Sequence, residues 1–155
     1  MRLQVKFRVL HTMLAAALVV ICFKTLALAG VDPSIEDLKK RVAAASAGDR
    51  PRLCVQIAQK QLAEVSRLYS ANQDEQAQPA LTDVVAFSEL ARDYSIQAHK
   101  QQKQTEIAVR EMTRKLTELM HTLGHDEQAP VKDAVTRLQR VRDDLLASMF
   151  SKGGK

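Results

Sequence analysis

From Leu81 to Leu123 the chain meets neither glycine nor proline, and apolar or small residues recur through it at alternating steps of three and four. The seam reads Leu81, Val84, Ser88, Ala91, Ser95, Ala98, Gln102, Thr105, Val109, Met112, Leu116, Leu119 and Leu123. Residues three and four apart share a face only on a helix, so this stretch excludes strand structure. Nothing in it breaks a helix, and the pattern predicts one continuous helix over about 75–123, roughly 73 Å long at 1.5 Å per residue. The seam is apolar at its ends and small or polar in the middle. Phe87 and Tyr94 thicken its first half, while residues 99–104 offer no apolar side chain.

Glycine and proline punctuate the rest of the chain into three further helices. Asp32 as N-cap and Pro33 at the first helical position open one over about 33–46, with Ile35, Leu38, Val42 and Ala45 as its stripe and Gly48 closing it. Asp49 and Pro51 open a second, 50–70. Its stripe holds Leu53, Cys54, Ile57, Ala58, Leu62, Val65, Leu68 and Tyr69, and it stops around Asn72. Pro79 falls within the first turns of the long helix. Gly124 is expected to end that helix in the left-handed conformation, and Pro130 to start the last helix, 130–150, on Val131, Ala134, Leu138, Val141, Leu145 and Met149.

These stripes predict an all-α fold of antiparallel hairpins sharing one long central helix. Paired with the last helix, Leu116 meets Leu138 and Val109 meets Leu145; paired with the second, Val84 meets Val65 and Ala91 meets Ala58. The expected core seam is Leu81, Val84, Phe87, Val109, Met112, Leu116, Leu119, Leu123, Leu138, Val141 and Leu145. The second helix would begin, and the last would end, beside residues 99–104, which accounts for the polar waist and leaves Gln102 exposed. The alternative is a break there that folds the hairpins together as a compact four-helix bundle, burying more of each stripe. With no breaker residue present, the continuous helix is the preferred expectation.

Ahead of the helices, Arg2, Lys6 and Arg8 precede the 11-residue apolar run Met13 to Phe23, and Ala27-Leu28-Ala29 ends in a small-x-small pattern. That is the layout of a secretory signal peptide, 1–29, cleaved between Ala29 and Gly30. The run is short of the about 20 apolar residues that cross a bilayer, so membrane contact is expected only transiently, through this segment. The domain is then 30–150, with 151–155 a flexible tail. Removing residues 1–29 also removes Cys22, leaving Cys54 alone and no internal disulfide; its place on an apolar stripe marks it as a small core residue.

The formal charge of +5 points toward anionic partners, but four of the 23 basic residues lie in that first segment, which holds no acid. From Gly30 on, 19 basic residues face 18 acidic ones. Basic residues interleaved with stacking aromatics are absent too, so no nucleic-acid partner is expected. The spacings of nucleophile elbows, phosphate loops, zinc-protease helices and haem attachment are missing, so an enzyme is not expected. Acids and bases pair four apart as on a solvated helix face: Glu36 with Lys40, Asp37 with Arg41, Glu106 with Arg110, Glu111 with Lys115, Asp133 with Arg137. His121 and His125 have the spacing that lets two imidazoles share a metal, yet Gly124 between them takes His125 off the face. The expectation is no metal and no cofactor, with those two histidines as the candidates for one.

The stretch from Asp83 through Arg114 to the run Asp126-Glu127-Gln128-Ala129-Pro130-Val131-Lys132 resembles small exported all-helical bacterial proteins of unknown function. The resemblance implies an envelope location, periplasmic or secreted, and carries over no functional residue. The expected role is an exported, non-enzymatic helical protein acting through a protein partner or through self-association. A metal- or ligand-binding helical bundle of the cell envelope is the alternative.

Overall fold

The computed structural model describes residues 32–151. The chain divides into two units, Met1–Pro33 and Ser34–Lys155, and the described helices belong to the second. The expected export segment, with Ala27, Ala29 and Gly30, and the tail beyond Ser151 lie outside the described residues. The fold is all-α. Its elements are α1 (Ile35–Ala44), α2 (Arg50–Ser70), α3 (Asp74–Ala98), α4 (Gln102–Met120), a 3-10 turn (His125–Glu127) and α5 (Gln128–Phe150).

Local capping chemistry fixes the start of α1 and the ends of α2 and α3. α1 is capped by Ser34, not Asp32: its hydroxyl accepts from the Asp37 N–H at 3.1 Å and donates to the Asp37 carboxylate at 2.7 Å. A serine with an acid three residues on satisfies an otherwise orphaned N–H, and Asp32, five positions before Asp37, lacks that spacing. The helix closes at Ala44, before Gly48 is reached. At the end of α2, Asn72 takes a left-handed φ of 53°; its N–H donates to the Tyr69 carbonyl, and the Gln73 N–H donates to that of Leu68. This is the paired C-terminal closure usually built on glycine, and asparagine tolerates it.

The same closure overturns the continuous long helix. At the end of α3, His99 has φ 51°, its N–H donates to the Ile96 carbonyl, and the Lys100 N–H donates to that of Ser95. Gln101 follows with φ 61°. The chain thus turns within residues 99–101, and the two halves of the seam fold onto one core. A left-handed residue other than glycine costs about 1–2 kcal/mol, whereas burying one leucine is worth about 1.5–3 kcal/mol. Burial over two helices outweighs two such residues, so no glycine is needed.

The result is the compact four-helix bundle. α2 packs on α3 and α4 on α5, while α3 meets α5 and α4 meets α2. Antiparallel α2 and α3 are tied at one end by Gln78 donating to the Tyr69 hydroxyl, 3.3 Å, and at the other by the Arg50 guanidinium over the Tyr94 ring, 5.4 Å. Arg137 pairs with Glu89 and Arg92 with Asp144, so α3 and α5 run parallel. A single apolar cluster draws on all four helices. Of the expected seam, Leu81, Val84, Val109, Met112, Leu116, Leu138, Val141 and Leu145 are buried in it; Phe87, Leu119 and Leu123 pack on it half-buried. Ser88, Ala91, Ser95 and Thr105 of the small and polar middle are buried as well. Ser88 and Ser95 return their hydroxyls to the Val84 and Arg92 carbonyls, which removes the cost of an unpaired buried donor.

The waist is where the helix ends meet, as the sequence suggested, but it is not open. Gln101 donates to the Gly48 carbonyl at 2.6 Å, and Gln102, half-buried instead of exposed, donates to the Ser148 hydroxyl at 2.9 Å. Continuing the expected register from Leu145 beside Val109 would have set Ser148 near Glu106, one turn further along α4. Glu106 instead pairs with Arg142 at 2.8 Å. Gly124, expected in the left-handed region, has φ −61°. It precedes the 3-10 turn, its N–H donating to Glu127 Oε2 at 3.0 Å.

α1 lies on α2 and adds a second, smaller cluster of Leu38, Leu53 and Ile57. Phe87 packs against both clusters, and Lys39 sits 5.7 Å from its ring centroid while pairing with Asp83.

Packing also redirects the charges. Of the pairs expected at four-residue spacing, Glu111 with Lys115 forms, at 3.8 Å. Glu36 takes Lys39, Asp37 takes Ser34, Glu106 takes Arg142, and Arg137 takes Glu89. Glu106 is 7% exposed, so its carboxylate depends on Arg142 far more than a surface acid would. Arg142→Ala is expected to lower stability by about 1–3 kcal/mol, because a buried acceptor loses a charged donor. Adding Glu106→Gln should recover part of the loss, and urea unfolding of the single and double variants reads it out. Equal stability of wild type and Arg142→Ala would show that the pair contributes nothing.

Candidate functional site: the groove between α2 and α4

α2 is antiparallel to α3, α4 to α5, and α3 runs parallel to α5, so α2 and α4 run parallel to each other. Among the described residues a groove opens along their seam. α2 presents Gln59, Leu62, Ala63 and Ser66 to it, and α4 presents Glu111, Met112 and Lys115. Leu62 and Met112 form the floor and belong to the core. Above them Ala63 and Ser66 on the α2 side are small and leave a groove of ≈ 460 Å3. That falls in the range, about 300–1,000 Å3, of sites that take ligands or partner side chains.

Its polar walls are largely self-satisfied. The Ser66 hydroxyl donates to the Leu62 carbonyl of its own helix at 3.1 Å. Glu111 accepts from the Arg114 guanidinium at 2.6 and 3.0 Å; these bonds and the nearby Arg and Lys charges hold its carboxyl below the usual range. Arg114 bonds Glu118 as well. The groove therefore offers an apolar floor flanked by one fixed carboxylate and the Lys115 ammonium. It offers hydrophobic and ionic complementarity, and no nucleophile paired with a base.

The expected candidate residues sit elsewhere. His121 caps the end of α4 and His125 opens the 3-10 turn, both exposed, on either side of the bend at Thr122–Gly124. The bend takes His125 off the α4 face and does not bring the two imidazoles together on one helix. Among the described residues no group of three or more His, Cys, Asp or Glu side chains is placed to hold a metal. Near that bend Tyr69, Ser70, Asn72, Asp74, Thr122 and Glu127 line a smaller polar hollow of ≈ 250 Å3 with Leu119 and Leu123. Burial and the Asp74 charge push the Tyr69 hydroxyl above its ordinary value.

Cys54 is buried without a disulfide partner, and desolvation pushes its thiol up to about 11 against a smaller opposing effect of Arg50. At neutral pH it is a protonated core residue and not a nucleophile.

The groove residues were not legible as a site. Ala63 and Ser66 are three apart beside the α2 stripe, a spacing that any helix surface shows, and only the parallel approach of α4 turns them into a wall. Comparison with known protein families, curated proteins and solved structures gives no match.

Proposed function

We propose that the protein is an exported, non-enzymatic helical module that works by offering helix faces to a protein partner or to a second copy of itself. The observation that supports this most is the α2/α4 groove, where an apolar floor of Leu62 and Met112 is open between Glu111 and Lys115. A partner helix recognised there would set an apolar side chain on the floor and a charged one against the rim. Export rests on the n-region, apolar run and Ala27-x-Ala29 pattern of the first 29 residues.

Both parts are tested on protein recovered from the exported fraction of expressing cells. Its intact mass should place the N-terminus at Gly30; retention of Met1 defeats the cleavage. A photo-crosslinking amino acid at Ala63 should give a discrete macromolecular adduct, and one at Asp143, exposed on α5, should not. Equal adducts at both positions, or none at Ala63, would remove the groove as the working surface. Retention of a small molecule that Met112→Trp displaces would move the reading to ligand binding.

A further inference from the structure

The turn between α3 and α4 combines two features. Within three residues it holds two left-handed residues, His99 and Gln101, neither of them glycine. Yet the seam crosses it without losing a step: Ala91, Ser95 and Ala98 lead to Gln102, Thr105 and Val109 at the same alternation of three and four. The segment is therefore a strained turn whose sequence is also in register for a straight helix.

We propose that residues 99–101 are a domain-swap hinge, through which two copies of this chain exchange their α4–α5 hairpins. The inference rests on the self-association part of the proposed function and names its geometry. With the hinge straightened, α3 and α4 become one helix from Asp74 to Met120, about 47 residues and roughly 70 Å long. Each lobe of the dimer is then α1, α2 and α3 of one chain with α4 and α5 of the other.

Three observations make the exchange balanced. The largest interfaces, α2 with α3 and α4 with α5, lie on either side of the hinge and stay within one chain. The interfaces that become intermolecular, α3 with α5 and α2 with α4, are re-formed by the same residues, including Glu89 with Arg137 and Arg92 with Asp144. α3 with α4, a minor interface beside the other two, is antiparallel, and two straight helices crossing from opposite lobes preserve that direction. The closed turn gives up its two capping bonds and the Gln101 to Gly48 bond; in return two left-handed residues become helical. Short strained hinges of this kind favour exchange over closure as protein concentration rises.

The test uses the purified full chain carrying Cys22→Ser, Glu89→Cys and Arg137→Cys, refolded at low and at high concentration. Cys54 is buried and stays out of reach of reagents. Dimer isolated by size-exclusion chromatography with light scattering is treated with a short bismaleimide and denatured. The expected result is a covalent dimer, because in a swapped molecule residues 89 and 137 of each lobe belong to different chains. Cross-links confined to single chains would overturn the proposal, whatever the groove adducts show.

Hinge variants supply the second reading. His99→Gly relieves the left-handed turn and disfavours the straight helix, whereas His99→Ala does the reverse. Both remove the imidazole, so its own contacts cancel. The dimer fraction should be about tenfold or more higher for His99→Ala than for His99→Gly. Equal fractions, or only monomer for wild type and His99→Ala at millimolar concentration, would also overturn it.

Discussion

Replacing Leu116 by alanine is expected to lower the stability of the helical domain by about 2–5 kcal/mol, and Leu138→Ala by a similar amount. Both side chains have no exposed surface and belong to the cluster shared by α2, α3, α4 and α5. Truncation removes their transfer free energy and leaves a cavity that helices packed from several sides fill only in part. Domains of this size are held by only about 5–15 kcal/mol in total, so either substitution removes a large share. Leu90, 39% exposed on α3, is the control: its replacement by alanine should cost far less. Urea midpoints at constant m-value check the ranking. If Leu116→Ala proved no worse than Leu90→Ala, the placement of α4 in the core would be wrong.

Proline at Arg110 is expected to cost about 3 kcal/mol or more, whereas proline at Lys103 should cost much less. Arg110 is exposed in the middle of α4, so its own contacts matter little. There proline deletes a backbone bond and drives its ring into the carbonyl one turn back. Lys103 is exposed and second in α4, where its N–H has no carbonyl within the helix to meet. Pro51 already occupies the second position of α2 in this same chain. A continuous helix through residues 99–104 would place both substitutions in a helix interior and make them equally severe. Thermal melts and helical circular dichroism of the two variants separate the architectures, and matched losses would count against the turn at 99–101.

Those two experiments fall on opposite sides of what could be read in advance. The stripes of α2, α3, α4 and α5 are properties of residue spacing, and a helix of 3.6 residues per turn has one way to bury each of them. The second helix, the last helix and eight buried residues of the expected seam follow from that spacing alone. The start of α1 depended on which of Asp32 and Ser34 held the right distance to Asp37, a competition that proline at position 33 disguised.

The turn at His99 was hidden for a different reason. Nothing in residues 99–104 disfavours a helix locally, and the left-handed residues there are imposed by the gain from folding the two hairpins onto one core. The charge partners of Glu106 and Arg137 changed on the same account, since a residue 36 or 48 positions away becomes a neighbour only after the helices pack. The α2/α4 groove has the same origin. By itself the sequence determined the helices and which face of each is apolar, because spacing along one helix is a short-range property. Tertiary structure decided where the long seam folds, which charges meet and where a gap is left. These depend on distances between segments, and a linear pattern does not contain them.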